Sequence, residues 1–420
     1  MKIITRFFKR LGPGFITGAS DDDPSGIATY AQTGALFGFS QTWTSLFSFP
    51  FMVAVQTMCG RVGLVTGKGL AGVIKQHYSK KILYPVVLLV LFANTINIGT
   101  DLGAIGASLQ LLFGFPYLAS VIAVVIIILA LELFISYKTY FYYLKFLAFA
   151  LFAYIAVVFF IDVDWVLVFK STIIPHIEFT KDYLFNIVAV LGTTISPYLF
   201  FWQASEEVEE EVVHHKLRQM GAGLPQVNTK DISRLTTDTV IGMFFSNIVM
   251  FFIIIAAGAT LFPAKIRYLT SAQEAAGSLA PLAGIYASSL FALGIIGTGL
   301  LAVPILAGSA SYAVSEALGW KEGLYRKVTQ AGGFYSIIVI ATLIGMGINF
   351  IGFNPMSALY YTAVINGIVA VPLLIMIFHI TNNKKIMGDH TNNKRLNILG
   401  IGIIIVMSIG ALALAFTFFM

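Results

Sequence analysis

Apolar residues fall in long blocks separated by short polar breaks. Several blocks, among them 82–112 and 396–420, reach or exceed the roughly 18 consecutive apolar positions that cross a hydrocarbon core of about 30 Å. Marking the blocks predicts eleven spans, near residues 11–38, 41–60, 82–113, 117–137, 141–161, 184–205, 236–261, 284–312, 331–351, 355–379 and 397–419. The expected fold class is therefore all-α: a polytopic membrane protein of about eleven transmembrane helices, forming one transmembrane domain over residues 1–420. No separate soluble domain is expected.

Composition sharpens this picture. Hydrophobic residues make up 58% of the 420 positions and charged residues only 11%, far more apolar than a soluble domain. The single Cys59 excludes an intrachain disulfide framework and any cysteine-rich zinc or iron–sulfur site. A formal charge of +6 could suggest nucleic acid, but the basic residues sit in short runs between apolar blocks and form no continuous patch. Nucleic acid is not an expected partner; the lipid bilayer is. Residues 1–10 lack a small-residue cleavage site and read as mature sequence.

Basic residues also set an orientation. With the N-terminus inside, only Lys170, Lys181, Lys265 and Arg267 of the 26 lysines and arginines fall in outside breaks. Lys2, Arg6, Lys9 and Arg10 before the first span, and Lys138 and Lys145 after the fourth, belong to the inside set. The positive-inside rule then predicts a cytoplasmic N-terminus and an external C-terminus in the cytoplasmic membrane. The longest inside break carries Glu206, Glu207, Glu209, Glu210 and Glu211, followed by His214 and His215. Such a run reads as a solvated helix extension, with a regulatory metal patch as the alternative.

In a bilayer the ionisable residues are the informative ones, because a charge at its centre costs about 2.5–3.5 kcal/mol even on lenient insertion scales. Asp21, Asp22 and Asp23 stand in a row inside the first span, flanked by Gly18, Pro24 and Gly26. Pro24 has no amide donor and glycine is a poor helix former, so helix one is expected to unwind over 18–26. Free carbonyls beside carboxylates would form a hard oxygen cage for a cation. The alternative is that the triplet lies at an interface and caps a following helix, with Pro24 at its first position. The sixth span has a matching interruption at 192–198, where Pro197 follows Ser196. Paired breaks at corresponding places point to inverted repeats, here 11–161 and 184–379 with an extra helix at 397–419, around a midplane site. Asp23 and Ser196 are expected to face each other there.

The same residues resemble a known family, the natural resistance-associated macrophage protein (Nramp) metal-ion transporters. Gly12, Pro13, Gly14 and Phe15, followed by Asp23, Pro24, Ser25 and Gly26, are similar to the family's Gly-Pro-Gly opening and Asp-Pro-Gly-Asn motif. Val65, Thr66, Gly67 and Lys68 resemble its second-loop signature, and Thr100, Asp101 and Leu102 its third span. The resemblance implies a LeuT-like 5+5 fold with helices one and six broken at Pro24 and Pro197. It also implies a transported metal held by Asp23, Gly26, Thr193 and Ser196. Asp21, Asp22, Asp101, Tyr198 and Asn366 are candidates for the pathway or for supporting the ligands, the alternatives being a polar partner for Asp101 and an interhelical hydrogen bond for Asn366. The divalent ion is cargo, and no resident cofactor is expected.

Departures from the family pattern shape the expected selectivity. Gly26 stands where the family has asparagine, and Ser196 where it has the metal-binding methionine. A hydroxyl in place of a thioether relaxes discrimination against hard ions, and a smaller residue leaves room for the water that Mg²⁺ gives up reluctantly. The family's third-span glutamate is Ala104 here, and its two sixth-span histidines align with Tyr198 and Gln203. This pattern resembles the Nramp-related magnesium transporter branch. It implies alternating-access passage of Mn²⁺ and/or Mg²⁺, with Fe²⁺ within range, and weak or no proton coupling. A proton-coupled Mn²⁺/Fe²⁺ importer is the alternative. A sodium-coupled carrier of small organic solutes is a lesser one, since three aspartates would repel a carboxylate substrate. No zinc-binding His–Glu pair or nucleophile with a basic partner shares a span, so an enzyme is not expected.

Overall fold

The computed structural model describes residues 12–135 and 151–417. Part of the expected fifth span, 141–161, lies outside the described residues, as do Lys2, Arg6, Lys9, Arg10, Lys138 and Lys145. Among the described residues there is no strand. The main helices are α1 (Pro13–Asp21), α2 (Pro24–Phe37), α3 (Trp43–Thr66), α4 (Leu70–His77), α5 (Lys80–Phe113), α6 (Tyr117–Phe134), α7 (Lys181–Thr194) and α8 (Pro197–Val213). They continue as α9 (Thr229–Thr260), α10 (Ala287–Leu318), α11 (Gly332–Ile348), α12 (Pro355–Thr381) and α13 (Lys394–Thr417). Counting α7 with α8 as one stretch, nine helical stretches among the described residues are long and apolar enough to cross a membrane. The α1–α2 pair, with three aspartates at its break, is not among them.

Exposure follows the solvent that each helix meets. Along α13, Ile398, Ile401, Ile405, Ile409 and Leu412 recur at helical spacing and are exposed, a face that only lipid accommodates. On α6, Leu118, Ile122 and Ile126 are likewise spaced and exposed, Ile126 the most. Polar side chains behave oppositely: Asp21, Asp22, Asp101, Asn94, Asn97 and Asn366 are fully buried. The polar interior and apolar exterior are those of a bundle that encloses a pathway.

Small residues bring the broken helices against the other half of the chain. A Cβ added at Gly18 of α1 would lie 2.2 Å from the carbonyl oxygen of Gly242 in α9, so the two backbones touch. A Cβ at Gly63 of α3 would lie 2.0 Å from the Ala204 carbonyl oxygen in α8. The first broken helix thus packs on α9 and the second on α3, a reciprocal exchange between the halves. Glycine is what permits such approach.

The run 206–211 corrects an expectation. It continues α8 as a helix, but Glu206, Glu207, Glu209 and Glu211 are buried rather than solvated. The reason is pairing, with distant segments as well as within the run. Glu209 accepts from the Tyr312 hydroxyl and the Leu324 and Tyr325 amides, Glu211 pairs with Lys216 at 3.1 Å, and Glu210 with His214 at 2.8 Å. No three acidic, histidine or cysteine side chains among the described residues converge as metal ligands, there or elsewhere.

Candidate functional site

Helix one does break within the acidic triplet, over a shorter length than the sequence suggests. Regular helix runs to Asp21, Asp22 leaves it (φ −84°, ψ 51°), Asp23 is extended (φ −67°, ψ 171°), and Pro24 opens α2. At 1.5 Å per residue, the nine residues of α1 and fourteen of α2 put the break about 14 Å from one end and about 21 Å from the other. The break therefore lies well inside the α1–α2 stretch rather than at either end. The second break is also two residues wide: α7 ends at Thr194, Ser196 is extended (φ −79°, ψ 135°), and Pro197 starts α8. Proline sets both restarts because its missing N–H costs nothing at the first helical position.

Asp23 performs two tasks at once. Its Oδ1 accepts from the Gly26 amide and the Ser25 hydroxyl, each at 2.7 Å, and so caps α2. Capping and ion binding are not exclusive here, because Asp23 caps α2 while only 1% exposed. Its Oδ2 is buried and has no partner. One oxygen therefore fixes the carboxylate and the other faces the interior.

Gly26 supplies space rather than a ligand. A Cβ built on it would meet the Asp21 carbonyl oxygen at 3.2 Å, Thr193 Oγ1 at 3.3 Å and Asp23 Oδ1 at 3.4 Å. Oxygens from α1, the first break and α7 thus ring one point. Ser25 Oγ lies 3.3 Å from Thr193 Oγ1 and ties the two broken helices together. Because Gly26 sits inside the first turn of α2 with its amide on Asp23, it does not present the unwound backbone that was expected.

Ser196 lies at the second break, but its hydroxyl donates back to the Gly192 and Thr193 carbonyls at 2.9 and 2.6 Å. The Thr193 carbonyl is thereby engaged, and the Thr193 side chain, not its backbone, joins the oxygen ring. Only the lone pairs of the Ser196 hydroxyl remain to face an ion. Tyr198 donates its hydroxyl to the Ser20 carbonyl at 2.7 Å, so it holds α1 instead of lining open space. Asp101 on α5 is fully buried with neither carboxylate oxygen partnered, and Asp23 is the charged group that acts on it. Asn366 on α12 is likewise buried with both amide atoms unpartnered. Its neighbour Gly367 touches Gly192 of α7, which puts it beside the second break.

Two contacts come from residues that the sequence did not single out. Ser246 of α9 donates to Asp21 Oδ2 at 2.7 Å and lies 3.3 Å from Asp22 Oδ1. Asp238, also on α9, accepts from the Gly12, Gly14 and Phe15 amides at 2.9, 2.7 and 3.3 Å, closing the start of α1. The signal for Ser246 was its place beside Asn247 in an apolar span. Nothing local marks Asp238 as the cap of a helix more than 220 residues away.

Two helices interrupted along their length around an anionic, oxygen-lined centre define an integral membrane transporter of the broken-helix class. The sequence model of the "Natural resistance-associated macrophage protein-like" family matches residues 14–417, and the chain belongs to that family. Among curated relatives, the divalent metal cation transporter MntH of Bacillus subtilis is 27% identical over 398 residues, covering 93% of this chain and 87% of the relative. MntH of Caldanaerobacter subterraneus is 25% identical over 408 residues, 95% of this chain and 90% of the relative. Among solved structures, the Eremococcus coleocola manganese transporter superimposes with a TM-score of 0.74 at 16% identity, over 97% of this chain and 86% of that one. The nucleobase–cation symporter Mhp1 gives 0.57 at 14% identity, over 97% and 93%. These two likenesses establish the LeuT-like fold.

Proposed function

We propose that the chain carries a divalent metal cation across the cytoplasmic membrane by alternating access, with Mn²⁺ and Mg²⁺ as cargo and little or no proton coupling. The reading rests on the oxygen ring around Gly26 beside the unpartnered Oδ2 of Asp23. Asp23 supplies the charge, the Thr193 and Ser196 hydroxyls supply neutral hard donors, and neither break offers sulfur or imidazole. An all-oxygen set suits hard ions and leaves Mg²⁺ its waters. The Nramp-related magnesium branch is the corresponding place within the family. Residues 11–161 and 184–379 are proposed as the two repeats, with residues 397–419 outside them. The lysine and arginine distribution supports an N-terminus inside and a C-terminus outside.

A second reading, a proton-coupled Mn²⁺/Fe²⁺ importer, is favoured by the named manganese transport of the Eremococcus neighbour and by buried carboxylates that could carry protons. Proteoliposome flux with competing divalent ions and an internal pH dye separates the two. Mg²⁺ competing with Mn²⁺ without acidification supports the first. Strict exclusion of Mg²⁺ with acidification selects the second.

A further inference from the structure

Four carboxylates, Asp21, Asp22, Asp23 and Asp101, lie in the interior at 0–1% exposure. The charges acting on Asp21, Asp22 and Asp101 are those of neighbouring aspartates, with no basic group among them. At an effective dielectric of 20, two such charges 4 Å apart repel by about 4 kcal/mol, so buried carboxylates in this number are neutralised by bound cations or by protons. One ion cannot serve them all, because no three acidic side chains among the described residues converge on a common point. Compensation is divided between at least two positions.

The transported ion, on the reading above, takes the Asp23 position. Asp21 and Asp22 face a different element, Ser246 of α9. One hydroxyl has one proton and satisfies one carboxylate at a time, and both Asp21 Oδ1 and Asp22 Oδ2 are buried without a partner. A separate observation converges on the same place. The phenol of Tyr30, on α2, is fully buried with its hydroxyl unpartnered, and the charged groups acting on it are Asp21 first, then Asp22 and Asp23. Two half-satisfied carboxylates on one hydroxyl join α1 to α9, and the unpartnered phenol of α2 is within their field, all of them oxygen donors.

We propose that Asp21, Asp22 and Ser246, with Tyr30 beside them, hold a second hard cation, an alkali or alkaline-earth ion, separate from the ion at Asp23. Donors of this type and charge match such ions and offer nothing to a soft metal. Because the site joins the first broken helix to α9, its occupancy is thermodynamically linked to that of Asp23, and each ion alters the affinity for the other.

The inference rests on the Asp23 reading, and one binding experiment distinguishes their failures. Full-length protein in nanodiscs is titrated with Mn²⁺, free ion being counted by its paramagnetic resonance signal, in choline chloride, in NaCl and with added Mg²⁺. The expected result in choline is two equivalents of bound Mn²⁺. Excess Na⁺ displaces one of them, the one also lost in Asp22→Asn and in Ser246→Ala, whereas Asp23→Asn loses the other; Mg²⁺, cargo at Asp23 on the reading above, displaces both. Two variants are used because either alone could disturb packing, and each is accepted only if monodisperse with a parental melting temperature. A parental protein that binds a single equivalent, abolished by Asp23→Asn, insensitive to Na⁺ and unchanged in the other two variants, overturns the second site and leaves the Asp23 reading standing. Binding in which pH alone, and no metal ion, acts through Asp22 also overturns it, assigning the pair a shared proton. Retention of both equivalents in Asp23→Asn removes the Asp23 reading instead.

Discussion

The Tyr198 hydroxyl donates to the Ser20 carbonyl at 2.7 Å, joining the start of α8 to the last turn of α1 one residue before the acidic triplet. The Tyr198 carbonyl in turn accepts from Ser309 of α10 at 2.8 Å. Where the family resemblance places a titratable imidazole, this chain has a fixed strut between three helices. Tyr198→Phe removes one buried hydrogen bond and leaves the Ser20 carbonyl unpaired, a loss of about 1–3 kcal/mol. The expected outcome is a lowered melting temperature and a reduced Mn²⁺ flux in proteoliposomes, with equilibrium Mn²⁺ binding retained. Loss of binding together with flux would assign Tyr198 to the ion itself.

Asp23 caps α2 with one oxygen and presents the other inward, and two substitutions separate these tasks. Asparagine is as good an N-cap as aspartate, whereas alanine forfeits about 0.5–2 kcal/mol. Asp23→Asn is expected to abolish flux while keeping a near-parental melting temperature. Asp23→Ala should lose flux and stability together. Manganese uptake by Asp23→Asn at the parental rate would refute the assignment.

Ser196 turns its hydroxyl proton onto the Gly192 and Thr193 carbonyls. Ser196→Met exchanges a hard donor for a polarizable thioether and frees both carbonyls. Competition assays should then move from Mg²⁺ toward Mn²⁺ and Cd²⁺. An unchanged competition profile would count against donor softness as the selectivity device.

At Gly26 the three surrounding oxygens stand 3.2 to 3.4 Å from where a Cβ would be. Gly26→Ala forces each of them back by a few tenths of an ångström and fills the point that they enclose. Reduced metal affinity with little change in melting temperature is expected. Isothermal titration with Mn²⁺ and a thermal melt check both halves.

Contact between α1 and α9 is closer still, since a Cβ at Gly18 would sit 2.2 Å from the Gly242 carbonyl oxygen. Backbone cannot yield as a side-chain end can, so Gly18→Ala should cost at least the roughly 1–3 kcal/mol of ordinary overpacking. A lower melting temperature and a smaller monodisperse fraction are the expected readouts. Parental behaviour would mean that α1 does not rest on α9 in the membrane.

Helix positions were legible because the bilayer permits few alternatives: every spanning backbone group must be paired within its own segment, over a fixed thickness. The expected span at 355–379 and the helix Pro355–Thr381, or 331–351 and Gly332–Ile348, differ by a few residues at their ends. Both breaks were legible for the same reason, since Pro24 and Pro197 interrupt apolar runs where nothing else explains them. Their width was not, because the helix recovers within two residues once Asp23 caps it and proline occupies the first position of the next turn.

The chain's own order of residues thus determined that it is a membrane bundle, where its helices lie, which two of them break, and that carboxylates occupy the first break. Tertiary structure alone decided what those carboxylates touch. Ser246 reaches Asp21 and Asp22, and Asp238 closes the start of α1, from more than 220 residues away, while the run at 206–211 is buried by partners as distant as Tyr312 and Leu324. Hydropathy and proline act within one turn of helix, so they can be read along a line. Hydrogen-bond partners of a buried charge are chosen by which helices pack together, and that choice belongs to the whole fold.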